Sequence, residues 1–118
     1  MTYKAFDVVT VPFPFTDSAR RKKRPALILS SVSKFNDPIG HSVMAMITSA
    51  KNRSWPLDVK ISDLKTAGLP ADSVVRMKLF TLDHRFVMEK IGSLSAPDRK
   101  RLSDSVKKVL EDLFAFPG

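Results

Sequence analysis

Short apolar runs at a period of two give way, near the C-terminus, to apolar residues at the period of a helix. This change of period constrains the fold more than any other feature of the chain. Val9, Val11, Phe13 and Phe15 fall on one face of residues 7–15, the alternation of a half-buried strand. Pro12 and Pro14 have no N–H to give a ladder, so this run ends at a sheet edge or is already leaving the sheet. Residues 25–31, 42–49, 57–61 and 73–82 each read as a further strand. Asn36, Asp37, Pro38 and Gly40 make 32–42 a turn region. Leu102, Val106, Val109, Leu110, Leu113 and Phe114 then form the apolar stripe of an amphipathic helix. Ser95, with Asp98 after it, predicts a capping-box start; Pro97 falls in the first turn, and Pro117 and Gly118 end the helix. The stripe can pack on the sheet of its own chain or on a second subunit. Strands followed by a helix predict a mainly β fold: a small antiparallel barrel of about five to seven strands with one C-terminal helix.

The 118 residues suit a single domain over 1–118. A core of that size gains from a partner subunit. Twenty Lys and Arg against twelve Asp and Glu give a formal net charge of +8. Such a surface draws polyanions: nucleic acid, an anionic membrane surface or an acidic protein. The chain has no cysteine, which excludes disulfides and thiolate metal sites and fits a reducing compartment. Lys4, Asp7, Thr10 and the two prolines interrupt the N-terminal run MTYKAFDVVTVPFPF, so no signal peptide is expected there. No segment has the length to span a bilayer. The expected location is cytoplasmic.

Several chemistries lack their parts. His41 and His84 stand far apart without HxxxH or HxxE spacing, so no metal and no cofactor is expected and both histidines read as surface or capping residues. The four glycines, at 40, 68, 92 and 118, form no phosphate loop. There is no GxSxG elbow and no paired carboxylate of catalytic spacing.

The densest charge lies in a hinge between two apolar runs: Arg20, Arg21, Lys22, Lys23 and Arg24. A charge run by itself reads as a solvated turn. Arg24 differs from its neighbours because Pro25 follows it, which biases Arg24 toward extended backbone at the mouth of a strand. A guanidinium held there can clamp a phosphate with paired hydrogen bonds. Arg20 to Lys23 read as a mobile arm of salt-sensitive attraction. A second cluster, ITSAKNRSW at 47–55, puts Thr48 and Ser49 at a strand end beside Arg53 and Trp55. Hydroxyls, bases and a ring in that order suit single-stranded nucleic acid, and a strand end with a packed tryptophan reads equally well. Arg76 lies inside an apolar strand, where it calls for a partner such as Asp72.

These stretches resemble the MazF/PemK toxins. FDVVTVPFPFTDSARRKKRPALILSS is similar to the family's opening: an apolar run into PF(T)D, a basic loop, then RPALVLS. MITSA is similar to its I-T-S segment, and residues 68–95 to its stretch ending in a strand and a C-terminal helix. The resemblance implies an SH3-like barrel of the MazF/CcdB type, a homodimer, and sequence-selective, metal-independent cleavage of single-stranded RNA. It also implies an antitoxin whose acidic tail blocks the RNA site. The family's catalytic arginine falls on Arg24, its I-T-S threonine on Thr48 and its V-V-R arginine on Arg76. Arg20, Arg21, Lys22, Lys23, Ser49, Arg53, Trp55 and Arg76 become the expected RNA-binding residues. Lys78 stands where one branch has an aspartate proposed as general base, and Phe6 stands where the family has a glycine before Asp7. The Phe6 replacement is expected to alter the turn into the first strand.

Two other readings compete. A CcdB-like toxin has the same barrel but binds gyrase, and needs no Arg24/Thr48 site. A non-catalytic barrel would bind RNA with strong salt dependence and leave it intact.

Overall fold

The computed structural model describes residues 2–13 and 22–117. Pro14 and Phe15 of the first expected strand, and Arg20 and Arg21 of the basic hinge, lie outside the described residues. Six strands are present: β1 (Asp7–Phe13), β2 (Lys22–Ile28), β3 (His41–Ser49), β4 (Val59–Lys60), β5 (Ser73–Asp83) and β6 (Glu89–Ser93). They form one sheet in the order β4-β5-β3-β2-β1-β6, antiparallel at every pairing. The sheet curls into a half-barrel with a C-terminal helix, which bears out the expected fold class. The α-helices among the described residues are α1 (Asp37–Ile39), α2 (Leu64–Ala67) and α3 (Ala96–Val109).

β1 departs from the half-buried strand that its alternation predicts, because both of its faces are covered. Val8 joins a core cluster with Leu27, Ile47, Val75 and Leu102. Val9 and Val11 join a second cluster with Tyr3, Ile28, Met44 and Leu82. A strand flanked on both sides in a curled sheet has no solvent face to keep polar. The prolines do mark an end: pairing with β6 stops at Thr10, whereas pairing with β2 runs on to Phe13. β2 begins at Lys22, so Lys22 and Lys23 are ladder residues opposite Phe13 and Pro12, not part of a mobile arm. Their charged heads still lie in solvent. Phe6 takes the left-handed backbone that glycine favours, with φ 76°. Its N–H donates to the Ile28 carbonyl at 2.8 Å and its carbonyl accepts from the Leu94 N–H at 3.1 Å. Arg99 lies over its ring at 5.0 Å. These contacts offset the steric cost of a bulky residue in that conformation.

β6, which periodicity passes over, owes its form to packing. A Cβ on Gly92 would lie 2.5 Å from the Thr66 carbonyl oxygen, so only glycine lets α2 sit flat on β6. The C-terminal helix is shorter than its stripe predicts. Leu102 is buried and Val106 packs against the first cluster, so the first half of the stripe covers the chain's own sheet. α3 then stops at Val109, and Glu111–Phe114 form a 3-10 turn with Leu113 and Phe114 exposed. Ser95 is the N-cap, as expected, with Pro97 in the first turn, but its side chain makes no cap bond. The capping box is not formed because Asp98 turns away from the helix end. Its carboxylate accepts from the Ser62 and Asp63 N–H groups at 3.1 Å, from Ser62 Oγ at 2.7 Å, and from Arg101. Asp98 thus fastens α3 to the loop after β4.

A candidate active-site groove

β2, β3 and β5 lie side by side, so the end of β3 faces residues from both neighbours. In the β2–β3 ladder Ala26 meets Met46 and Ile28 meets Met44. Two residues further along that register, Arg24 comes opposite Thr48. On the other side Thr48 pairs with Val74. The β3–β5 register then shifts: Ile47 meets Val75, but Ala45 meets Leu79. Residues 76 to 78 therefore face Met46 alone, an irregularity of the kind that re-aims side chains. Arg24, Thr48, Ser49, Trp55, Arg76 and Lys78 all line one groove of about 390 Å³.

The structure thus gathers five of the expected site residues. Among the described residues, Lys22, Lys23 and Arg53 do not line the groove. Lys23 instead pairs with Glu89 at 2.5 Å on the neighbouring surface. Arg53 contributes its carbonyl, which accepts from Arg76 Nη2 at 2.7 Å.

Each lining group has a distinct condition. Arg24 is exposed, and its side chain makes no hydrogen bond or ion pair to another described residue. Its backbone is set by β2 and Pro25, and its guanidinium is available to an anion. Thr48 is half-buried, and its Oγ1 accepts from Asn52 Nδ2 at 2.7 Å. A hydroxyl that already accepts one bond keeps its own hydrogen to donate. Lys78 Nζ lies 5.2 Å from the centre of the Phe13 ring.

Arg76 is the buried cation of the groove, and its partner is Asp58 rather than Asp72. Nε meets Asp58 Oδ1 at 3.2 Å and Nη2 meets Oδ2 at 2.9 Å. Asp72 lines the groove, but a turn over Trp55–Asp58 brings the other carboxylate to Arg76 first. Burial pushes the Asp58 carboxyl up, but the Arg76 guanidinium and the Trp55 N–H outweigh this and hold it below the usual carboxylate range. The same pair keeps Arg76 protonated more firmly than an ordinary arginine, against the cost of burial. Asn52, Asp58 and Phe13 were not visible as site residues in the sequence. Asn52 stands four after Thr48, a spacing with no meaning on a strand. Asp58 lies eighteen residues from Arg76, so only the folded turn brings the two together.

His41 opens β3 and Thr48 stands near its other end, so the histidines lie away from the groove. Of the surface and capping roles expected, His84 does not take the surface one. It is half-buried, bonded through Nε2 to Ser42 Oγ at 2.7 Å, with its ring edge-on to Tyr3. Among the described residues no group of three or more His, Asp and Glu could hold a metal ion.

Comparisons with known proteins agree with this geometry. The fold is similar to a MazE–MazF crystal structure from Deinococcus radiodurans, with a TM-score of 0.74 and 22% identity over 94% of this chain and 98% of that one. It is similar to the Mycobacterium tuberculosis toxin MazF-mt6, at TM-score 0.69 and 21% identity over 89% and 96% of the two chains. A mycobacterial endoribonuclease in complex with its cognate antitoxin aligns at TM-score 0.71 and 14% identity over 93% and 94%. At these identities the likeness establishes the fold. No curated protein matches the chain at the sequence level. The family model described as "PemK-like, MazF-like toxin of type II toxin-antitoxin system" matches residues 4–110, and the chain accordingly belongs to that toxin family.

Proposed function

We propose that the protein is the toxin of a type II toxin–antitoxin pair and acts as a sequence-selective, metal-independent endoribonuclease on single-stranded RNA. The observation that carries this reading is the meeting of Arg24 and Thr48 at one groove. A guanidinium with no side-chain partner among the described residues shares the groove with a hydroxyl that has a hydrogen to give.

The ribose 2′ oxygen attacks the adjacent phosphorus, the new O2′–P bond forms and the P–O5′ bond breaks. The products are a 2′,3′-cyclic phosphate and a 5′-OH. Arg24 donates paired hydrogen bonds to the phosphorane oxygens, where negative charge grows, and so stabilises the transition state electrostatically. A guanidinium has five donors and no acceptor, which bars Arg24 from acting as the base. Thr48 donates to a phosphate oxygen and helps fix the in-line geometry. The 2′ proton needs an acceptor. Lys78 removes the carboxylate that one branch of the family has at that position. Asp72 is the one carboxylate lining the groove among the described residues; in this reading it takes the 2′ proton, and a proton from solvent reaches O5′.

Acidic antitoxin and RNA would compete for this groove, since the chain carries a net charge of +8. A homodimer in the cytoplasm is the expected working form. The test uses long single-stranded RNA in EDTA, with the new 5′ ends mapped. Discrete cuts bearing 5′-OH, abolished by a 2′-deoxy sugar before the cut, support the reading. RNA bound yet uncut supports the non-catalytic barrel, and stalled gyrase with intact RNA supports the CcdB-like toxin.

A further inference from the structure

Trp55 lines the groove with Arg24 and Thr48, yet 45% of its surface is exposed. A large aromatic ring held half-exposed at the wall of a groove needs an explanation. The turn that carries it is held from several sides. Asp58 Oδ2 accepts from the Trp55 N–H at 2.9 Å, and the Asp58 N–H returns a bond to the Trp55 carbonyl at 3.3 Å. The same Oδ2 accepts from Arg76, whose guanidinium lies 4.9 Å from the centre of the Trp55 ring. Arg76 also donates to the carbonyl of Arg53, two residues before the ring. Leu57, within the turn, has a left-handed φ of 67°, which is unusual for a branched aliphatic residue. Ser105 of α3 donates to the Leu57 carbonyl at 2.5 Å and secures that conformation from below.

Such over-determined backbone strain is placed where a side chain must be held in one position. Holding the ring this way also lowers the ordering cost of a ligand that stacks on it. Arg76, whose hydrogen bonds go to Asp58 and to the Arg53 carbonyl, is thereby a positioning residue rather than a phosphate contact.

We propose that Trp55 is the platform on which one nucleobase of the RNA stacks, and that Asp58, through Arg76 and the Trp55 N–H, sets the ring's position. The proposal rests on the ribonuclease reading above and assigns it a specific base-binding subsite. Stacking is tolerant of base identity, so the platform supplies affinity and register. The hydrogen-bonding groups around it supply choice.

Trp55 is the only tryptophan of the chain, so its fluorescence reports the platform alone. The probe is a short RNA made uncleavable by 2′-deoxy sugars, together with a set of copies that each have one abasic site. The wild-type protein is expected to show quenched fluorescence on binding. One abasic position should restore the emission and weaken binding about 5- to 100-fold. Trp55→Ala should bind the intact RNA that much more weakly and lose its sensitivity to that abasic position. Asp58→Asn should behave likewise and raise KM for cleavable RNA more than it lowers kcat. Trp55→Phe should recover most of the affinity. Circular dichroism checks that the variants fold, and the exposed Trp55 site keeps the test decisive if Asp58→Asn does not. RNA that binds and is cut with fluorescence unchanged, and with ring and abasic effects that simply add, overturns the platform and leaves the ribonuclease reading intact. No RNA binding at all overturns both.

Discussion

Arg24 lines the groove, and its side chain bonds to no other described residue. Its truncation should therefore remove charge stabilisation without removing a fold contact. Arg24→Ala is expected to unfold within about 0.5 kcal/mol of wild type, as read by urea titration. In the proposed mechanism Asp72 takes the 2′ proton, so Asp72→Asn should lower kcat by about 10²-fold or more with KM little changed, measured under single-turnover conditions. A rate close to wild type would remove Asp72 from the mechanism. Much of the groove was legible at this scale. Arg24 is marked by the proline after it, and Thr48 by its place at the end of an apolar run. Asp58 was not legible, because a carboxylate reaches a buried arginine through a turn whose geometry no spacing rule encodes. For the same reason the sequence points Arg76 to Asp72, which is nearer along the chain, rather than to Asp58.

At the scale of elements, two joints hold the sheet to its helices. The first is the contact between Gly92 of β6 and the Thr66–Ala67 backbone of α2. A methyl group has no room there, so Gly92→Ala should destabilise the fold by about 1–3 kcal/mol, visible as a lower urea midpoint with an unchanged slope. The second joint is Asp98. Burial pushes its carboxyl up, but hydrogen bonds from Ser62 and Asp63 prevail and hold it below the usual range. A carboxyl with a lowered folded-state pKa stabilises the protein fully above its unfolded value near 4. That stabilisation is lost as the pH falls through the folded value. Stability should thus drop in acid, and Asp98→Asn should be weaker by about 2–4 kcal/mol at pH 7 with a flatter decline below pH 4. An unaltered acid limb in that variant would dismiss Asp98 as the joint. The long strands were readable because their apolar residues recur at fixed intervals. β6 was hidden because its form depends on what packs against it. The stripe of α3 shows the limit from the other side: the helical period holds to Val109, and the expected continuation through Phe114 is a 3-10 turn that leaves Leu113 and Phe114 exposed.

For the whole molecule, the +8 charge and the exposed groove act together. RNA affinity should fall steeply with salt, with a slope near −0.7 for each phosphate neutralised on a single strand. A fluorescence titration between 50 and 200 mM salt, with roughly three or more phosphates engaged, would show about a tenfold loss or more; a flat response would detach the charge from the function. At this scale composition was informative about the class of partner and silent about the fold. The side-by-side placing of β2, β3 and β5 at the groove comes from pairing that charge does not describe. The most direct measurement is the rate at which wild type and Arg24→Ala cut one RNA in EDTA. The groove chemistry predicts discrete 5′-OH ends with wild type and a rate lower by at least about 10²-fold in the variant, with the fold retained. A folded Arg24→Ala protein that cuts at the wild-type rate would contradict it.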